Sequence, residues 1–164
     1  MRVTRVFTVL AAVALLGVAC DDDVTGIPAD VEIYRAELNG ANEVPALPTP
    51  TTATGQATIT VLDSLVSWRV EVTGIENVNI GHIHEAPEGE AGDVILNLLP
   101  TPGDYPGTTV IAIGSEVVSA DVLAAIRAGN GYVNIHTSDN IGGTDPQEPG
   151  DYPGGEIRGQ LRRL

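Results

Sequence analysis

The sequence predicts an all-β fold, an antiparallel Greek-key-like β-sandwich with one short helix, and three observations predict it. Apolar and polar residues alternate with a period of two through most of the chain after residue 30, the mark of half-buried strands. Clusters drawn from 19 glycines and 11 prolines punctuate these runs at short intervals. One stretch alone carries helical spacing. Eight short strands so separated suit two packed layers.

Taken in order, residues 1–19 read as a lipoprotein signal peptide. Arg2 and Arg5 form a positive leader, and Val6 to Val18 is an apolar run broken only by Thr8 and Gly17. That run falls short of the roughly 20 apolar residues a membrane-spanning helix needs. The Leu16-Gly17-Val18-Ala19-Cys20 segment resembles a lipobox, with Gly17 where a leucine-like residue is usual. Cys20 is the only cysteine in the chain, and lipidation would account for its lack of a disulfide partner. Residues 20–30, opening with Asp21-Asp22-Asp23, form an acidic tether, so the expected address is the cell envelope, on the periplasmic face or the cell surface.

Residues 31–164 suffice for one domain with one core. Strands are expected over Val31–Leu38 and through the segment where Ala57, Ile59 and Val61 alternate with threonines. Val66, Trp68, Val70 and Val72 then alternate with Ser67, Arg69, Glu71 and Thr73. Val78–His84, Val94–Leu98 and Thr108–Ile113 follow. The helix begins at a Ser119 cap, with Asp121 in its first turn, a Val122, Leu123, Ile126 stripe and Gly129 to end it, and it reads as a lid over one end of the sandwich. Gly131–Thr137 and Glu156–Arg162 complete the set. Two loops share a hexapeptide: Pro102-Gly-Asp-Tyr-Pro-Gly107 recurs as Pro149-Gly-Asp-Tyr-Pro-Gly154, a pattern of turn residues around a tyrosine.

The formal net charge is −14, no lysine is present, and loss of Arg2 and Arg5 with the signal makes the remainder more acidic still. Such a surface repels phosphate backbones, which sets nucleic acid aside as a partner. Cations or a basic protein partner stay compatible with it, and the anchor makes an envelope or surface protein or polymer the expected partner of a binding module. No nucleophile elbow, phosphate loop, dinucleotide fingerprint or zinc-protease helix is present, so the sequence assigns no catalysis.

Five segments in order carry a family resemblance. They are Leu38-Asn-Gly-Ala-Asn-Glu-Val-Pro45, Thr54-Gly-Gln-Ala57, Gly81-His-Ile-His84, Gly131-Tyr-Val-Asn-Ile-His-Thr137 and Gly155-Glu-Ile-Arg-Gly-Gln-Leu161. Together they resemble the CHRD domain, the module named from chordin, over about residues 32 to 164. The resemblance implies an extracytoplasmic β-sandwich and carries no settled activity.

All three histidines of the chain, His82, His84 and His136, fall inside those segments. His82 and His84 are two apart on a strand and project to one face. His136 shares a face with Tyr132 and Asn134 on a second strand. If those strands are neighbours, three imidazoles converge, a ligand set suited to copper or zinc. The strand around His82 and His84 also resembles the copper-binding strand of copper–zinc superoxide dismutases, but the chain has no further histidine to bridge two metals. The competing reading makes each imidazole a brace that hydrogen-bonds backbone across the sheet. Glu156 and Arg158 share a face of the last strand; Glu156 is placed to orient an imidazole, and Arg158 to form an ion pair with Glu43 or Glu156. Asn42 is expected to fix a turn.

Overall fold

Strand parity in the sequence becomes inside and outside in the structure, a computed structural model that describes residues 30–99, 105, 107–139 and 148–164. The signal peptide, Cys20, the tether up to residue 29 and most of the first hexapeptide lie outside the described residues.

The strands are β1 (Glu32–Asn39), β2 (Thr54–Leu62), β3 (Leu65–Thr73), β4 (Val78–Glu85), β5 (Asp93–Asn97) and β6 (Thr109–Val117). Helix α1 (Ala120–Arg127) precedes β7 (Gly131–Thr137), β8 (Ile157–Gln160) and the two-residue β9 (Arg162–Arg163). They hydrogen-bond in the order β5-β4-β7-β8-β1-β2-β3-β6, with β9 also on β1, and the pairs are antiparallel. The two layers are thus halves of one curled sheet. Their seam is the β1–β8 contact, a single register pair between Asn39 and Arg158. The β3–β4, β5–β6 and β6–β7 connections join strands of different halves, the interleaving of a Greek-key-like sandwich.

Alternation decides what is buried. Ala57, Ile59, Val61, Val66, Val70 and Val72 on β2 and β3 face Ile83, Val133, Ile135 and Ile157 of the other half across a common core. Trp68 ties the halves: its indole N–H donates to the Leu98 carbonyl at 2.9 Å, so the buried ring leaves no orphan donor. Gly81 belongs to the core-facing set of β4. A β-carbon there would stand 2.2 Å from the Leu99 side chain, so only glycine lets Leu99 pack against this strand.

Two boundaries differ clearly from expectation. The run expected as Glu156–Arg162 breaks at Leu161, whose side chain enters the core and whose N–H bonds the Gly131 carbonyl, while Arg162 and Arg163 pair with β1. That break adds a ninth strand. β6 continues to Val117 because its ladder with β3 runs on to Leu65. Helix α1 keeps its signals: the Ser119 hydroxyl accepts from the Val122 N–H, and Leu123 and Ile126 enter the core. Leu164 closes the sheet, its N–H donating to the Ile33 carbonyl at 2.9 Å. Among the described residues, no helix is long and apolar enough to cross a membrane.

Candidate metal centre

On the β4-β7-β8 half, the face opposite the core is polar and nevertheless buried. Register places His82 opposite Asn134, His84 opposite Tyr132, and Asn134 opposite Arg158. Directly paired residues share a face, so β4 supplies two imidazoles, β7 a third through His136, and β8 a guanidinium. His82, His84, Asn134, His136 and Arg158 are each less than a tenth exposed. Loop backbone and loop side chains cover them. Gly92 and Glu90 come from the loop after β4, Pro153 from the loop after β7, and Glu43 follows the short 3-10 turn Gly40–Asn42 after β1.

The three imidazoles converge as strand phase predicts. One ring nitrogen from each lies within 4.8 Å of the others, and ring centroids are 5.1–5.7 Å apart. Two tautomers are set by backbone. His84 Nδ1 lies 3.0 Å from the Gly92 carbonyl and His136 Nδ1 lies 2.9 Å from that of Pro153. A carbonyl only accepts, so both Nδ1 atoms carry hydrogen and both Nε2 atoms present lone pairs. The His84 Nε2 is buried with no hydrogen-bond partner. The His136 Nε2 lies 3.3 Å from His82 Nδ1. A tetrahedral centre with metal–nitrogen bonds of about 2.0–2.1 Å has ligand edges of about 3.3–3.4 Å, so this pair already spans one edge.

Burial holds the rings neutral. It lowers the His82 pKa to about 4, with the neighbouring imidazoles of His136 and His84 adding to the effect. Burial also lowers His84 and His136, against the opposing bonds to Gly92 and Pro153. Neutral imidazole is the form that ligates metal.

Glu156 does not orient an imidazole. Its fully buried carboxylate accepts from the Thr51 hydroxyl at 2.6 Å, the Thr137 hydroxyl at 2.7 Å and the Gly150 N–H at 2.9 Å, tying two loops to the end of β7. The orienting groups are the Gly92 and Pro153 carbonyls instead. Arg158 reaches the cluster through an aromatic ring. Its guanidinium lies 3.5 Å from the centroid of Tyr132, which stacks on His84 at 5.0 Å, and its Nη2 donates to the Glu90 carbonyl. The expected ion pair is replaced by these contacts. Asn42 pins its turn to β8, donating to the Arg158 carbonyl at 3.0 Å. The second hexapeptide serves the site too: Tyr152 is buried with its hydroxyl on the Thr49 carbonyl, and Pro153 receives His136.

Glu43 is the site residue that periodicity does not single out. Its carboxylate is buried, accepts from Asn134 Nδ2 at 3.4 Å and leaves Oε1 unpartnered. Burial pushes its pKa up to about 7, against the lowering effect of Arg158. It arrives from a loop, so strand phase gives no warning of it; its place within the first quoted motif was the available signal.

The sequence model of the CHRD domain family matches residues 34–144. The matched span includes Glu43 and all three histidines and ends before Glu156 and Arg158. No curated protein matches the chain.

Proposed function

The chain belongs to the CHRD domain family, an extracellular interaction module, and from that premise we propose a binding module of the bacterial envelope that holds a copper or zinc ion on its covered histidine face. The observation that carries this reading is the pairing of two backbone-fixed tautomers with converging lone pairs. His84 Nε2 lacks a partner, and His136 Nε2 stands one tetrahedral edge from His82 Nδ1. Internal braces would need no such convergence, because an orphaned buried acceptor costs about 1–3 kcal/mol. The role is storage, delivery or display of the ion, with no catalysis assigned. The lipobox-like segment at Cys20 supports a lipid anchor on the periplasmic face or at the surface.

Metal retention tests the proposal. The full chain in detergent is loaded with Cu(I), Cu(II) or Zn(II), dialysed, and compared with a variant carrying His82→Ala, His84→Ala and His136→Ala. One equivalent held by the wild type and lost from the variant is expected. A wild type that retains none of the three ions overturns the reading.

A second reading, docking of an envelope or surface protein or polymer, is favoured by one observation. Among the described residues β6 is an edge strand whose outward residues Ile111, Ile113 and Val117 are 53%, 70% and 70% exposed. An apolar stripe on an unpaired edge suits strand addition.

A further inference from the structure

Resting on the metal-holding reading, we propose that the site selects a singly charged ion, Cu(I), over the divalent ions Zn(II) and Cu(II). Charge compensation carries the inference. Among the described residues the ligand cluster consists of His82, His84 and His136 alone, with no carboxylate or thiolate. Three neutral imidazoles contribute no negative charge, so the ion's full charge enters a region whose residues are less than a tenth exposed. The cost of burying an ion grows as the square of its charge, so a dication pays about four times what a monocation pays.

The surroundings sharpen that difference. Glu156, a fully buried carboxylate, is saturated by Thr51, Thr137 and Gly150. Glu43 is bound to Asn134, one residue removed from the imidazoles, and its burial favours the uncharged acid. A positive charge stands beside the rings: Arg158 sits over Tyr132, the ring stacked on His84, and its effect on His84 exceeds the opposing one of Asp93. The field of Arg158 opposes a dication twice as strongly as a monocation.

Competition between ions on the full chain in detergent, under anaerobic conditions, tests this. Cu(I) is supplied from a chromogenic chelator, and Ag(I) serves as a redox-inert ion of the same charge. Cu(I) is expected to hold against Zn(II) with a dissociation constant lower by at least about a hundredfold, and Ag(I) to displace Cu(I) without Zn(II) doing so. Zn(II) binding as tightly as Cu(I) overturns the selectivity and leaves the metal-holding reading intact. Retention of neither ion overturns both. Two variants, each checked for folding by near-ultraviolet circular dichroism, isolate charge as the cause. Asn134→Asp places a carboxylate opposite His82, and Arg158→Met removes the cation; each is expected to narrow the Cu(I) preference by about tenfold. A preference unchanged in the folded variants overturns the electrostatic basis.

Discussion

The Pro153 carbonyl accepts a hydrogen bond from His136 Nδ1 at 2.9 Å, and this one contact decides which nitrogen of His136 faces the other imidazoles. A loop that would otherwise be turn chemistry becomes the device that aims a ligand. Gly92 does the same for His84 from the opposite loop.

Ring tautomers can be read directly. Long-range nitrogen–proton spectra of the metal-free protein at pH 7 are expected to place hydrogen on Nδ1 of His84 and His136. His82 should titrate near pH 4, because burial disfavours its charged form. A midpoint near 6.5 would mean that water reaches the cluster.

Stability should depend on pH through two opposed groups. His82, with its folded pKa lowered to about 4, binds fewer protons folded than unfolded between about pH 4 and 6.5, so it adds stability as pH rises through that window. Glu43, raised to about 7, binds more protons folded than unfolded from about 4.5 to 7, so it removes stability as pH rises through its own window. Glu43→Gln keeps the neutral shape and should therefore gain about 2–3 kcal/mol on the wild type between pH 5 and pH 8. Urea unfolding at both pH values measures it; an equal difference at the two would show that Glu43 does not titrate there.

Glu156→Gln is expected to destabilise the fold by about 2–4 kcal/mol, because an amide N–H₂ must face hydroxyl and N–H donors in a buried pocket. Metal affinity should change less than threefold if Glu156 acts on the loops alone. A large affinity loss at unchanged stability would restore it as an imidazole-orienting group.

Gly155 has φ +124°, and a β-carbon there would lie 2.3 Å from the Asn134 amide. Gly155→Ala should cost about 2–4 kcal/mol from backbone strain and overlap together. It should also disturb the His82 ring resonances, since Asn134 is the cross-strand partner of His82. Thermal unfolding with an imidazole spectrum separates the two effects.

The edge stripe gives the last expectation. Ile113→Glu should leave unfolding within about 0.5 kcal/mol, as a surface change does, while weakening any cell-surface cross-linking that depends on β6. Cross-linking unaffected by the substitution removes β6 as the docking edge.

What the sequence discloses follows from which forces are local. β7 occupies Gly131–Thr137 as expected, and the Ser119 cap fixes the start of α1, because alternation and capping act within a few residues. The phase of His82, His84 and His136 is equally local, which is why their shared face is legible. Glu43 and the true partners of Glu156 are different: parity tells which way a side chain points, not which loop folds down over it. Thr51 lies 105 residues from Glu156, and no short-range pattern joins them. The break at Leu161 likewise depends on a competitor far away, the free side of β1.

The bond from Leu164 to Ile33 brings the last residue beside the first strand. The start of β1 and the segment after β9 therefore share one corner of the sheet. Spliced into a surface loop of another protein, the module would make both junctions at nearly one point and leave the host's geometry undisturbed. Joining the ends and opening the exposed turn at Gly89, where a side chain meets nothing within 4 Å, would yield a reordered chain with the same pairing of strands.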